Sequence, residues 1–275
     1  MTKKKSKSFF AVLTEAINHF VENGFTSQAE LDRWTIALKK SLLKTIGKKE
    51  TVDARVRKSL KNVYRHLVID KKIIKQNKGV SKFSVDKLKP TMRRDLEKRI
   101  MASTRLIKLN REVAVANTLR RFQGWATSIP KGGSKAPDIK KEKTKIRKSL
   151  TKVTFEEKRV TIDQSQKFAS SLNAVIAEDN GAIAAVWHSR WRTAGYNYRH
   201  DHKERDGKMY VIRNNWAMRK GLMKLGDLSY NDTITQPAEE VYCQCRYTYI
   251  YSIDKLPEEL LTEKGKELLA KAGVI

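Results

Sequence analysis

The sequence Trp187-His188-Ser189-Arg190-Trp191-Arg192-Thr193-Ala194-Gly195 opens a region that closes on Tyr242-Cys243-Gln244-Cys245-Arg246. This region, residues 187–245, holds both cysteines, three of the five histidines and three of the five tryptophans. Around it the apolar residues change from helical spacing to the alternation typical of strands, at 185–188, 209–212 and 246–253. Asp206-Gly207 predicts a turn between the first two strands. We therefore predict an α+β fold in which a small sheet is accompanied by many helices.

Helices are predicted on both sides of this sheet. Apolar residues at helical spacing indicate helices at 8–22, at 28–46 with its end near Gly47, and at 51–68. A long helix is expected from Pro90 to about Trp125, because proline suits a first helical turn and no glycine or proline interrupts residues 91–123. A capping-box pattern at Thr154 predicts a helix that ends at Asn180-Gly181, and residues 257–272 predict a closing helix.

A composition change suggests where the domains divide. The sequence Ile129-Pro130-Lys131-Gly132-Gly133-Ser134-Lys135-Ala136-Pro137 is typical of a linker. The following run, 140–152, is almost entirely charged, and we expect it to be exposed. The prediction is a basic helical region at 1–127, a charged linker containing glycine and proline at 128–153, and an α+β domain at 154–275.

The charge is distributed unevenly along the sequence. Residues 1–150 contain 39 Lys and Arg against 13 Asp and Glu, a net charge of +26, whereas residues 151–275 contain 19 against 17, a net charge of +2. Such a basic segment attracts polyanions, of which nucleic acid is the commonest, and binds their phosphates in a salt-dependent way. The candidate contacts to double-stranded DNA are Lys71, Lys72, Lys75, Lys78, Arg93, Arg94, Arg120 and Arg121.

Four residues of the 187–245 region are candidate metal ligands. Structural zinc takes four nitrogen or sulfur ligands in a tetrahedron. Residues two apart on an extended segment point the same way, so His200 with His202, and Cys243 with Cys245, form two candidate pairs. The alternative is a small buried cysteine pair, with His202 hydrogen-bonded to backbone near the Asp206-Gly207 turn. A disulfide is disfavoured because neighbouring cysteines on one face do not meet disulfide geometry.

Several short motifs together resemble one known family. Arg159-Val160-Thr161-Ile162-Asp163-Gln164-Ser165 precedes Trp191-Arg192-Thr193-Ala194-Gly195, Arg199, His202 and Asp206-Gly207-Lys208, and Pro237 precedes Cys243-Gln244-Cys245-Arg246. Their order and spacing are similar to the Mu F-like minor head proteins of tailed phages, over about residues 155–252. His200 stands where that family has a proline or small residue, and Tyr242 where it has asparagine.

This resemblance implies a structural minor head protein that aids head assembly and DNA packaging or ejection. Its expected partners are the portal protein and the major capsid or scaffolding protein, and several copies are expected in each virion. The implied location is the capsid interior, after synthesis in the host cytoplasm. The resemblance does not extend to the basic helices, so DNA as a partner is expected from their charge alone.

Two other functions remain open on the residues. His200-Asp201-His202 beside a turn resembles metal-dependent ββα nucleases, but no histidine follows His202, and Asn214 and Asn215 offer only amides. We therefore predict no enzyme and no catalytic residue. The other alternative is a DNA-binding protein that acts outside any virion.

The sequence also bears on membranes and on the redox compartment. No run approaches 18 consecutive apolar residues, so we expect no membrane span and no membrane partner. The basic start, residues 1–7, leads into an apolar stretch that Glu15 and Asn18 interrupt, which is not typical of a secretory signal. Two cysteines in a Cys-Xaa-Cys arrangement do not form a disulfide framework, so we expect a reducing compartment.

Overall fold

The computed structural model describes residues 7–46, 49–134 and 138–273. The basic start at 1–6, the expected helix end at Gly47 and residues 135–137 of the expected linker lie outside this part. The described elements, in chain order, are α1 Phe9–Asn23, α2 Gln28–Thr45, α3 Lys49–Tyr64, α4 Lys72–Gln76, α5 Lys82–Thr127, α6 Ile139–Arg147, α7 Val153–Asp179, β1 Ala184–His188, α8 His200–Glu204, β2 Met209–Val211, α9 Trp216–Arg219, β3 Arg246–Ile250 and α10 Glu263–Lys271. The architecture is therefore a mostly helical α+β fold with a small antiparallel sheet, as predicted.

The chain forms two compact units. The first unit comprises Met1–Arg55 and Ala102–Val160, and the second comprises Val56–Met101 and Thr161–Ile275. The divisions fall inside α3, α5 and α7, and they do not follow the predicted boundaries at 127 and 154. The N-terminal half of α5 belongs to the second unit, where Asp95 accepts a hydrogen bond from Ser171 of α7 at 2.9 Å.

This division redistributes the charge. The first unit carries 27 Lys and Arg against 11 Asp and Glu, a net charge of +16, and the second carries 31 against 19, a net charge of +12. The near-neutral C-terminal sequence thus folds together with the lysine-rich segment 56–101. A strongly basic body and a neutral body, which the sequence alone suggested, are not what the fold contains.

In the first unit, helices α1, α2 and α6 and the C-terminal part of α5 bury one apolar core. Its members include Phe9, Phe20, Leu42, Phe122 and Ile146. Side-chain oxygens cap three of the helices: Ser8 accepts from the Ala11 N–H at 3.3 Å, Ser27 from the Glu30 N–H at 3.3 Å, and Asp138 from the Lys141 N–H at 3.0 Å. Each such cap stabilises its helix by about 1 kcal/mol.

Three helix predictions are corrected. Helix α5 begins at Lys82 and includes Pro90, because Val85 and Leu88 before the proline are buried on the face that Met92 continues. Its 46 residues span about 69 Å. The charged run expected to be exposed contains α6, whose Ile146 is buried, and α7 begins one residue before Thr154, which therefore does not cap it.

The three strands form a sheet in the order β2-β1-β3, with antiparallel pairing throughout. Ala184 is opposite Val211 and Ile250, on the face that packs against the helices at the C-terminus. Trp187 and Tyr247, paired across the sheet, lie on the other face with both cysteines. The third strand is shorter than predicted, ending at Ile250, and the closing helix begins only at Glu263, after a short 3-10 turn.

Candidate metal centre

His202, Cys243 and Cys245 come together on the aromatic face of the sheet, in the second unit. The Nδ1 atom of His202 lies 3.5 Å from the Sγ atom of Cys243 and 3.5 Å from that of Cys245. The exposed fractions of the three residues are 1%, 0% and 3%, so the cluster is closed to solvent. This arrangement of one imidazole and two sulfur atoms could hold a metal ion.

Local structure explains why these residues meet. The Gly207 N–H donates to the Trp187 carbonyl at 2.8 Å, and the Trp187 N–H donates to the Lys208 carbonyl at 2.9 Å. These bonds return the chain to β1, so the single helical turn of α8 places His202 beside Trp187, with 5.2 Å between their ring centroids. Cys243 and Cys245 immediately precede β3 and reach the same face.

His200 is not part of the cluster, which corrects the four-ligand prediction. The sequence led us to expect an extended segment, in which His200 and His202 would point the same way. The segment is helical, so residues two apart point about 200° apart around the axis. His202 is buried, whereas His200 is exposed. The paired placement of Cys243 and Cys245 is confirmed.

Glu240 faces the other nitrogen of the same imidazole, a contact that sequence reasoning missed. Its Oε2 atom lies 2.7 Å from His202 Nε2, a contact with ion-pair rather than hydrogen-bond geometry, and 3.2 Å from Arg199 Nε. A carboxylate at Nε2 favours the tautomer with its proton there, which leaves the Nδ1 lone pair directed at the two sulfur atoms. The alternative in which His202 bonds backbone near the Asp206-Gly207 turn is not what the structure contains.

The electrostatics of the two thiols differ. A hydrogen bond from Cys245 lowers the pKa of Cys243 to about 6, and the Ala238 N–H, which donates to the Cys243 Sγ at 3.3 Å, acts in the same direction. The same pairing, together with burial, raises the pKa of Cys245. One thiolate is thus favoured, which is the form that binds metal ions.

The segment 237–245 is held firmly although its backbone is strained. Ala238 and Tyr242 adopt φ of 66° and 64°, a region that residues other than glycine enter at a cost. The Tyr242 N–H donates to the buried Asp163 of α7 at 2.6 Å, and the Ser170 hydroxyl donates to the Pro237 carbonyl at 2.9 Å. These contacts from α7 fix the turn that carries Cys243.

Two of the three tryptophans in the region, Trp187 and Trp191, have different roles. Trp187 is fully buried, as expected of a core residue, and its ring packs edge-on against Tyr247. Trp191 lies beyond the end of β1. Its indole N–H donates to Asp206 at 2.9 Å, and Asp206 also accepts from the Ser189 N–H at 2.8 Å. These two bonds, with the backbone bond larger, lower the pKa of Asp206.

The candidate DNA contacts divide between the units. Lys71, Lys72, Lys75, Lys78, Arg93 and Arg94 belong to the second unit, and Arg120 and Arg121 to the first. All are exposed except Lys71, which is half-buried, and whose pKa is lowered chiefly by its contact with Lys82. Asp86, which acts on the pKa of Lys71 in the opposite direction, partly offsets the repulsion between these lysines.

Comparison with known proteins adds no assignment. No family model, no curated protein and no solved structure matches this chain. Within the described ranges, no helix combines the length and the apolar character needed to cross a bilayer.

Proposed function

We propose that this protein is a non-enzymatic structural component of a tailed-phage head, a minor head protein of the Mu F-like kind that binds DNA and is stabilised by zinc. The observation that carries the proposal is the burial of the metal cluster. Side chains that are at most 3% exposed can join the ends of strands and turns within the fold. This supports a structural role for the cluster.

The spacing of the cluster fits zinc. Zn–N bonds of about 2.0–2.1 Å and Zn–S bonds of about 2.3 Å, at tetrahedral angles, separate nitrogen and sulfur by about 3.6 Å. Both observed Nδ1–Sγ distances are 3.5 Å. A neutral imidazole nitrogen has one lone pair and can accept from only one thiol, whereas a metal ion between the three atoms uses the nitrogen and both sulfurs.

His202, Cys243 and Cys245 would therefore supply three of the four ligands that structural zinc takes, and Glu240 would orient the imidazole as an outer-shell carboxylate. The ion would supply cross-linking of α8 to the segment before β3. Elemental analysis of the purified full chain tests this: about one zinc per chain is expected, and much less after Cys243→Ser. Stoichiometric zinc in a well-folded Cys243→Ser variant would refute the assignment.

DNA binding rests on the positive charge of both units. Phosphate contacts by Lys and Arg give affinities that fall steeply with salt. Replacing Lys71, Lys72, Lys75 and Lys78 together with alanine should reduce the salt dependence of duplex binding, by roughly 0.9 in logarithmic slope for each phosphate that is no longer neutralised. An unchanged slope would remove this segment from the interface.

The place in a virion rests on the family resemblance. The expected partners remain the portal protein and the major capsid or scaffolding protein, and the expected location is the capsid interior. Mass spectrometry of purified particles, with stoichiometry relative to the capsid protein, tests this directly, and several copies per particle are expected. Absence from particles, combined with retained DNA binding, would favour the alternative of a DNA-binding protein outside the virion, which the net charge also supports.

A further inference from the structure

The first unit contains a cavity of about 300 Å³ that is separate from the metal centre. The apolar part of its lining, called the apolar wall below, includes Phe10, Ile46 and Leu150. The charged part, called the polar wall, comprises Arg55, Arg111, Arg147 and Glu157, and Arg147 lies against Phe10. The volume lies at the lower end of the range found for small-molecule sites.

The charges on the polar wall do not balance. Glu157 is buried, and its carboxylate is shared by Arg55, at 3.3 Å, and by Arg111, whose Nε donates to it at close range. Three guanidinium groups thus face one carboxylate, which leaves a formal charge of +2 at the wall. Arg111 pairs with Glu157 in the interior, so the excess positive charge lies on Arg55, which is 59% exposed, and on Arg147.

Arg147 is the group whose bonding is incomplete. Its Nε atom is buried and donates no hydrogen bond to any residue in the described part of the chain. Its guanidinium lies over the ring of Phe10, with 5.6 Å between the carbon and the ring centroid. A buried donor without an acceptor costs free energy, and an anion that bonds the rest of this guanidinium from the cavity would offset that cost.

We propose that this cavity binds a small carboxylate with an apolar tail. The carboxylate accepts hydrogen bonds from Arg147, whose planar donors match two oxygen atoms, and the tail lies against Phe10, Ile46 and Leu150. An inorganic anion would satisfy the arginine but leave the apolar wall uncovered. A neutral apolar molecule would cover that wall but leave the excess charge uncompensated.

Calorimetric titration of the full chain with octanoate tests the proposal, with octanol and inorganic phosphate as comparison ligands. Octanoate should bind to the natural protein at least about tenfold more tightly than either comparison ligand. Arg147→Met should weaken octanoate about tenfold or more and leave octanol unchanged. Lys148→Met serves as the matched control, because Lys148 is the exposed neighbour that does not line the cavity.

Three results would overturn the proposal. The first is the absence of octanoate binding, and the second is equal weakening by Arg147→Met and Lys148→Met, which would show only general attraction to positive charge. The third is an affinity for phosphate that equals the affinity for octanoate. Should Arg147→Met fail to fold, Phe10→Ala gives the complementary test, since it must weaken octanoate and leave phosphate unchanged.

Discussion

Each unit contains a polar cluster with buried members, and the two clusters are built differently. In the first unit, Glu157 meets Arg55 and Arg111, all on helices, and the opposite charges come from the chain itself. In the second unit, His202, Cys243 and Cys245 come from turns and a single helical turn, and their three donor atoms converge on one point. The first cluster contains ion pairs between its own side chains, whereas the second could hold a metal ion.

The comparison indicates what each cluster needs in order to be stable. Helices are rigid supports whose backbone hydrogen bonds are internal, so an ion pair between them adds to an existing structure. The turns around Cys243 have strained residues and lack long elements, so they depend on cross-links. The contrast predicts that metal removal destabilises mainly the second unit, and that mutation of the ion pairs destabilises mainly the first.

The largest effect is expected from Cys245→Ser or from a zinc chelator. Either change should destabilise the second unit by more than about 4 kcal/mol, because loss of a metal site is among the few single changes of that size. Hydrogen exchange followed by mass spectrometry should show faster exchange in β1 and β3, with α1 and α2 unchanged. Equal loss of protection in both units, or no loss, would contradict the proposed contrast.

Glu157→Gln should produce a smaller effect, in the first unit. Removing the carboxylate charge leaves Arg111 largely buried without its counter-ion, which costs about 3 kcal/mol. Chemical denaturation measures the loss, and the chelator should not increase it within the first unit. Glu112→Gln, an exposed position on the same helix as Arg111, is the control and should change stability by less than about 0.5 kcal/mol.

Glu240→Gln should lower the affinity for zinc and leave the fold largely unchanged. The neutral amide no longer orients His202 through Nε2, so zinc affinity should fall roughly 10- to 100-fold. Competition with a chromogenic chelator measures this. Glu204→Gln, at an exposed position on α8, should leave the affinity unchanged, and an equal decrease in both variants would exclude a specific role for Glu240.

The smallest effect concerns Asp206 and pH. Its pKa is lowered in the folded protein by the Ser189 N–H and the Trp191 indole, so its stabilisation is complete above the unfolded value of about 3.9 and is lost as pH falls through the lower folded value. Asp206→Asn should cost about 1–2 kcal/mol at neutral pH. It should also flatten the stability profile below about pH 4. A profile that matches the natural protein in this acidic range would exclude Asp206 as its cause.

Much of the secondary structure could be read from local patterns. The helices at 9–23 and 28–45 and the strand at 246–250 follow from apolar spacing, serine caps and β-branched or aromatic residues. The start of α5 could not be predicted from local patterns, because these place proline in a first helical turn. Only the burial of Val85 and Leu88 shows that the helix begins before Pro90. The same limit applies to Ile146, whose partners in the core are distant in sequence.

The candidate site shows the same division. Residue types alone identified His202, Cys243 and Cys245, because imidazole and thiol groups are uncommon and chemically distinctive. Glu240 could not be singled out among 30 acidic residues, since only its distance from His202 distinguishes it. His200 does not belong to the cluster, because one helical turn separates its direction from that of His202.

The sequence by itself therefore determined most of the element types, the net charge and the candidate soft ligands, since these depend on neighbouring residues or on composition. Only the tertiary structure decided which helices fold with the sheet and which carboxylate faces the imidazole. It also placed three arginines around one cavity. The physical reason is that burial and Coulomb interactions depend on distance in space, and residues such as Arg55 and Glu157, 102 positions apart, meet only after folding.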